Sequence, residues 1–158
     1  MDVDWIGDSY TLDLDHEDAA DWKGWATIWV KNICGAAWGD YHFQIKDTHG
    51  CDTSNVDFIV ASPHQPELWV KSGYTWQQVT NLTWDVNNVG PGAKLDLFFY
   101  NDPIVHNEWA KFKIYTDNTY SPHAAWFMVS SHPTPVPEPA TVALLGLGGL
   151  ALLRKRKG

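Results

Sequence analysis

An all-β fold is predicted by three features of the sequence. Short stretches such as residues 25–31 and 38–46 alternate apolar and polar side chains with a period of two, which is typical of half-buried strands. Clusters of Gly, Pro, Asn, Asp and Ser separate these stretches and indicate turns. Before residue 140, no stretch keeps a helical period over several turns. Short strands at regular intervals favour one antiparallel β-sandwich, immunoglobulin-like or jelly-roll-like, over a barrel.

Most of the strands are predicted from residue 25 onward, and residues 9–14 form one further candidate. The first two are expected to pair as a hairpin around a turn at residues 32–37. Their apolar faces are expected to point into the core, with Ala26, Ile28 and Val30 on the first and Tyr41, Phe43 and Ile45 on the second. The predicted strands after residue 24 cover residues 25–31, 38–46, 56–61, 68–71, 78–86, 94–100, 110–116 and 124–130.

The sequence divides into four parts. Residues 1–24 form an acidic segment that is expected to pack on, or lead into, the domain, and residues 25–130 form the sandwich. Residues 131–139 carry proline at every second position from Pro133, which predicts an extended, semi-rigid linker. Residues 140–157 are predicted to be a membrane helix with a basic tail. The part before the linker is long enough for one domain with a hydrophobic core.

The stretch from Ala140 to Leu153 has no charged residue and is followed by four cations, Arg154, Lys155, Arg156 and Lys157. A surface helix needs a polar face, so this run predicts a membrane segment. As a helix it would measure roughly 21 Å against a hydrocarbon core of about 30 Å, which is short for a permanent span. The positive-inside rule keeps the cations in the cytoplasm and places the preceding chain across the inner membrane.

The apolar run is preceded by Pro137, Glu138 and Pro139. This order of Pro-Glu-Pro, apolar helix and basic cluster, over about residues 136–157, resembles the PEP-CTERM sorting signal of Gram-negative bacteria. The resemblance implies processing by an exosortase, an integral-membrane cysteine protease, with the membrane as a partner before processing. It also implies exopolysaccharide-producing, biofilm-forming bacteria, and a final location at the cell surface, outer membrane or extracellular matrix.

Export also requires a signal at the other end of the chain. Residues 1–8 are acidic and lack the apolar stretch of about 7 to 15 residues that a secretory signal needs. We therefore expect an export signal that precedes Met1 or has been removed.

The charge of the chain excludes one class of partner. Up to His132 there are 18 acidic residues and 7 lysines, a net charge of −11, which repels the phosphates of nucleic acid. A strongly negative charge of this kind favours solubility of the domain, and it also attracts divalent cations. The acidic run at residues 13–21 departs from the helix-loop-helix calcium loop, since Asp18 stands where Gly is needed and Gly24 where Glu is needed. The prediction is therefore no cofactor, with Ca²⁺ as the alternative.

The chain has two cysteines, Cys34 and Cys51. In an oxidising compartment an isolated pair predicts one disulfide. In the chain-entropy model the bridge would contribute roughly 3 kcal/mol of stability. The two residues lack the CxxC spacing of a metal site, so no metal ligands are assigned.

Ten tryptophans are the most unusual feature of the composition. Trp84 is expected in the core with Leu82 and Val86. The remaining candidates lie opposite the better core residues of their strands, on faces shared with Thr27 and several lysines. Exposed rings of this kind stack on sugars, so the candidate glycan-stacking residues are Trp25, Trp29, Trp109 and Tyr115. The alternative is that loops partly cover both faces.

No catalytic motif is found. The sequence lacks G-x-S-x-G, H-E-x-x-H and a phosphate-binding glycine loop, so no catalytic residues are assigned. His42 and Asp40 share a strand face and form either a surface hydrogen bond or half of a metal or acid/base site. We predict a non-catalytic structural or adhesive protein of the cell surface or matrix. The alternatives are a carbohydrate-binding module that uses the tryptophans and a glycoside hydrolase built on a carboxylate pair.

Overall fold

A computed structural model describes residues 2–5, 10–13, 23–46, 53–54, 56–89, 92–118 and 128–135. Over these residues the protein is all-β. The strands are β1 (Asp2–Trp5), β2 (Tyr10–Asp13), β3 (Lys23–Asn32), β4 (Trp38–Lys46), β5 (Val56–Ile59), β6 (Glu67–Ser72), β7 (Thr75–Gln78), β8 (Thr83–Asn87), β9 (Lys94–Phe98), β10 (Trp109–Asn118) and β11 (Met128–Pro135).

The strands form two sheets. The first sheet has the order β1-β3-β10-β6-β7, and β5 pairs with β10 beyond the end of β6. The second sheet has the order β2-β11-β4-β9-β8. All neighbours run antiparallel except β1, which runs parallel to β3. The central strand β10 therefore determines which residues of β3 and β6 lie side by side.

The two sheets contact each other through aromatic side chains. Phe112 of β10 lies 4.5 Å from Tyr41 and 5.4 Å from Phe43 of β4, measured between ring centroids. Because side chains alternate along a strand, every second residue of each central strand is buried between the sheets. The predicted core faces of β3 and β4 are confirmed, and the rest of this layer includes Leu95, Leu97, Phe99, Ala110 and Ile114. The prediction of an all-β fold with two largely antiparallel sheets is confirmed.

The predicted hairpin of β3 and β4 is wrong. β3 belongs to the first sheet and β4 to the second, so residues 33–37 cross from one sheet to the other. The buried Asn32 holds this crossing, because its Nδ2 donates to Ala36 O at 2.9 Å and to Ile104 O at 2.8 Å. Each of the two strands has one apolar face. Both apolar faces are buried when the strands lie opposite each other across the core. Alternation alone does not distinguish this from side-by-side pairing.

The predicted strand at residues 78–86 is also wrong. The chain leaves the first sheet after β7, at Val79, and enters the second sheet at Thr83 as β8. Trp84 packs partly buried against the core, as expected, whereas Val86 is 39 % exposed. The predicted strand contains only Gln78 of β7 and runs through the crossing into β8, although the period of two is interrupted between Val79 and Leu82.

The domain includes more of the chain than predicted at both ends. β2 confirms the strand predicted at residues 9–14, and β1 adds a strand within the acidic segment. At the other end β11 continues to Pro135, so residues 131–135 of the predicted linker belong to the second sheet. The N–H of Thr134 points toward β4. The backbone nitrogen of Pro133 therefore points to the opposite edge of β11, where the pairing with β2 ends at Ser131. A residue without an N–H fits such an edge position.

Within the residues that the structure describes, no helix is long and apolar enough to cross a membrane. The predicted sorting motif at residues 137–139 and the segment at 140–157 lie outside the described residues, as do Cys51 and residues 14–22 of the acidic segment.

Candidate binding surface

The outward face of the first sheet carries tryptophan and lysine in alternation. In one row across the sheet, Trp109 lies in register between Lys31 and Lys71. In the next row, Lys111 lies between Trp29 and Trp69. We call this surface the Trp–Lys face, and its partly exposed members are Trp25, Trp29, Lys31, Trp69, Lys71, Trp76, Trp109, Lys111 and Lys113.

Lys111 stands at the centre of this face. Its Nζ lies 4.9 Å from the ring centroid of Trp69, 5.5 Å from that of Trp29 and 5.8 Å from that of Trp76. Trp29 and Trp76 meet edge to face at 5.2 Å. A cation within about 6 Å of an indole face is attracted by the ring quadrupole, by roughly 0.5–1 kcal/mol at exposed sites. The ammonium group therefore lies beside three rings and favours their observed orientations.

The other lysines of the face repeat this contact. Lys113 Nζ lies 5.0 Å from the ring centroid of Trp25, and Lys31 Nζ lies 5.9 Å from that of Trp109. Lys71 Nζ lies 5.8 Å from the centroid of Trp76. Each lysine thus lies beside at least one ring.

The β6–β7 hairpin brings Trp76 onto this surface. Its two-residue turn consists of Gly73 and Tyr74, and Gly73 has a φ of 63°, a conformation that favours glycine. The register that follows places Trp76 opposite Lys71. The hairpin therefore extends the rows of β3, β10 and β6 by one more aromatic residue.

The four predicted stacking residues lie on the same sheet face, but they are not equivalent. Trp25, Trp29 and Trp109 are partly exposed, whereas Tyr115 is only 7 % exposed. Tyr115 packs edge to face with Trp25 at 5.4 Å and lies 3.9 Å from the His64 ring. The tyrosine ring therefore packs against Trp25 from the neighbouring strand β10.

Carboxylates lie at the margins of the Trp–Lys face. Glu67 accepts a hydrogen bond from Trp69 Nε1 at 3.0 Å. At the far end of β10, Asp117 lies directly opposite Asp57 of β5, and Asp117 Oδ1 is buried without a hydrogen-bond partner among the described residues. Burial, and then the charge of Asp117, raise the pKa of Asp57. Like charges placed in this way repel each other, while Lys23 of β3 is the register neighbour of Asp117 on its other side.

A second candidate lies on the outward face of the second sheet. His42, Asp96 and His132 line a shallow pocket of about 220 Å³. His42 Nδ1 lies 2.7 Å from Asp96 Oδ1, and the two imidazole rings are 5.0 Å apart. Partial burial, and then the charge of His42, lower the pKa of His132.

The carboxylate of Asp40 accepts hydrogen bonds from residues around that pocket. Asp40 is 6 % exposed, and its Oδ1 accepts from Thr134 N at 2.8 Å while its Oδ2 accepts from Tyr100 OH at 2.9 Å. His42 Nε2 lies 3.4 Å from Asp40 Oδ1 and 3.1 Å from Thr134 Oγ1. The predicted pairing of His42 with Asp40 is therefore part of a larger network. In the described part of the chain, no group of three or more ligating residues is placed to hold a metal ion.

Sequence reasoning missed several residues of both sites. Trp69 and Lys71 alternate with Leu68 and Val70 in β6, and this period of two was a usable signal. Asp96 and His132 gave no such signal, because they are 54 and 90 positions from His42 and only the sheet register brings them together.

Cys34 is partly buried and has no disulfide partner among the described residues. Its Sγ donates to Asn32 Oδ1 at 3.0 Å and accepts from Trp38 Nε1 at 3.0 Å. The bridge to Cys51 remains a prediction, since Cys51 lies outside the described residues.

Comparison with known protein families identifies the C-terminal end of the chain. Residues 135–157 match the family model of the PEP-CTERM protein-sorting motif, which includes Pro137, Glu138 and Pro139. The chain therefore carries this motif, and the resemblance seen in the sequence is confirmed. Neither the search of curated proteins nor the search of solved structures found a match.

Proposed function

We propose that this protein is exported, sorted by an exosortase to the cell surface or extracellular matrix, and binds polysaccharide there through the Trp–Lys face without cleaving it. The sorting motif at residues 135–157 supports export and exosortase processing. The β domain would then act as a structural or adhesive component.

The observation that carries the binding role is the set of partly exposed indoles on one sheet face. Five tryptophans from four strands share this surface, and four lysine ammonium groups lie within 5.9 Å of their ring centroids. Ring faces on a rigid sheet suit the apolar faces of sugars, since little side-chain entropy is lost on binding. The sheet supplies the rigidity that loops would lack.

A non-catalytic role is supported by the state of the carboxylates. A glycoside hydrolase needs two carboxyl groups that flank the bond to be cleaved. Both oxygens of Asp40 accept structural hydrogen bonds, from Thr134 N and from Tyr100 OH. Glu67 likewise accepts from Trp69. These hydrogen bonds make Asp40 and Glu67 poor candidates for a catalytic pair.

Two experiments test the two halves of the proposal separately. For sorting, the protein is expressed with and without an exosortase, and the mass of the product is measured. Loss of the C-terminal segment only in the exosortase host is expected, and equal masses in both hosts would contradict processing.

For binding, the full chain is run by affinity electrophoresis through gels that contain different polysaccharides. We expect retardation that is lost in Trp29→Ala and Trp69→Ala. Tyr74→Ala is the matched control, because Tyr74 is a fully exposed aromatic residue in the β6–β7 turn. Mobility that is unchanged by every polysaccharide would remove the binding role and leave the sorting assignment intact.

A further inference from the structure

We infer that the ligand of the Trp–Lys face is an anionic polysaccharide, whose acidic groups pair with the lysines while the tryptophans stack on its sugar rings. This inference rests on the proposed glycan-binding function and specifies the chemical class of the ligand.

The first argument is the distribution of positive charge. The chain up to His132 has a net charge of −11 and 7 lysines. Four of these lysines, Lys31, Lys71, Lys111 and Lys113, lie on the outward face of one sheet. A cationic patch on a strongly acidic protein selects ligands by charge complementarity and raises their local concentration.

The second argument is that these lysines form no ion pair with the described side chains. No described carboxylate lies within 4.0 Å of the four ammonium groups, although Glu67 is the register neighbour of Lys113 and Asp4 is that of Lys31. The four Nζ atoms lie beside indole rings, at 4.9 to 5.9 Å from the ring centroids. Cation–π contacts leave most of the ammonium hydration in place, so the lysines keep the capacity to pair with an incoming anion.

The third argument is the spacing of the charges. Lys111 and Lys113 are two residues apart on β10, which places them roughly 7 Å apart along the strand. Lys31 and Lys71 flank Trp109 on neighbouring strands, which places them roughly 10 Å apart across the sheet. Charges and rings alternate across the sheet in the rows of Trp109 and Lys111, whereas Lys111 and Lys113 are successive outward residues along β10. A polymer with an acidic group on each repeating sugar matches this alternation better than a single small anion.

Single-stranded nucleic acid also combines bases that stack with a charged backbone. The acidity of the rest of the domain opposes both polyanions, and the sorting motif, which supports export, favours an extracellular sugar polymer over nucleic acid. An acidic sugar polymer is therefore favoured, and nucleic acid becomes an outcome of the test.

The test uses the full chain with three probes, namely sodium alginate, the same polymer after reduction of its carboxyl groups, and poly(dT). We expect alginate to bind tightest, with an affinity that falls as salt increases. Lys111→Gln and Lys71→Gln should each weaken alginate binding about tenfold or more, while Lys111→Arg should retain it. Lys94→Gln is the matched control, since Lys94 is an exposed lysine on the second sheet.

Lys71 serves as the second variant because it lies on β6, where the loss of one cation–π contact is less disruptive than at the central Lys111. Near-ultraviolet circular dichroism checks that each variant is folded. Equal binding of alginate and its reduced form, unaffected by the lysine variants, would overturn the anionic specificity and leave the proposed glycan binding in place. No binding to either polymer would remove both. Tighter binding of poly(dT) than of alginate at the same salt concentration would assign the face to nucleic acid.

Discussion

The backbone N–H of Thr134 donates to Asp40 Oδ1 at 2.8 Å, which joins the last strand before the sorting motif to the centre of the second sheet. The motif residue Pro137 follows Pro135, the last residue of β11, after a single intervening position. The folded domain therefore reaches almost to the processing region.

Substitution of Asp40 tests this connection. Asp40→Ala removes the acceptors of Thr134 N and Tyr100 OH, and should lower the free energy of unfolding by about 2–3 kcal/mol, because buried hydrogen bonds to a charged group are lost. Urea unfolding measures the change, and amide hydrogen exchange should be faster at Thr134. The exposed Asp102 is the control, and Asp102→Ala should change stability by no more than about 0.5 kcal/mol. Equal effects of the two variants would contradict the role of Asp40.

Phe112 tests the packing of the two sheets. Phe112→Ala removes a fully buried ring that contacts Tyr41 and Phe43 across the core, and should cost about 3–5 kcal/mol in unfolding free energy. Phe98→Ala serves as comparison, because Phe98 is partly exposed on the outward side of the second sheet. If Phe112→Ala and Phe98→Ala lower the free energy of unfolding equally in chemical denaturation, the sheets do not contact each other through Phe112.

The opposed carboxylates of Asp57 and Asp117 predict a stabilising substitution. Asp57→Asn removes one of two like charges that face each other across β5 and β10, and should raise the free energy of unfolding by roughly 0.2–1 kcal/mol at neutral pH. The raised pKa of Asp57 means that the native state binds a proton more readily than the unfolded state. The gain should therefore shrink as acidification protonates Asp57 in the wild type. A decrease in stability at neutral pH would refute the repulsion.

His132 predicts a loss of stability on acidification. Partial burial and the neighbouring His42 lower the pKa of His132 below 6.5, so the unfolded state takes up the proton at a higher pH than the native state. Well above pH 6.5 His132 is neutral in both states and does not affect stability. As the pH falls below that value, protonation of His132 in the unfolded state lowers the free energy of unfolding.

Wild type should consequently lose more unfolding free energy between pH 8 and pH 5 than His132→Gln does, as measured by urea unfolding at each pH. Titration of the His132 ring by NMR gives the pKa directly. A titration midpoint at or above pH 6.5 would show that burial and His42 do not lower the pKa of His132.

The thiol state of the exported protein tests the predicted bridge. Alkylation without prior reduction should leave both Cys34 and Cys51 unmodified, and reduction should lower the unfolding free energy by about 3 kcal/mol. Cys51→Ser provides the control, since its Cys34 should then be alkylated. Modification of both cysteines in the wild type would show instead that Cys34 keeps its hydrogen bonds to Asn32 and Trp38 as a thiol.

The sequence by itself determined features that depend on local pattern. Alternation in residues 25–31 identified Ala26, Ile28 and Val30 as the inward face, because successive side chains of a strand point to opposite sides. The same argument placed Trp25 and Trp29 outward. The sorting motif was equally readable, because its three parts follow one another within residues 135–157.

The tertiary structure alone decided which strands are neighbours. A period of two shows that a strand has an apolar face but carries no information about its partner, so β3 and β4 were paired wrongly. For the same reason, the strand predicted at residues 78–86 ran through the crossing from one sheet to the other. The environment of Lys111 depends on three rings, Trp29, Trp69 and Trp76, from three other strands. The three rings lie together because of the register of the strands around β10. That register is set by the burial of one sheet against the other, so it is a property of the whole domain.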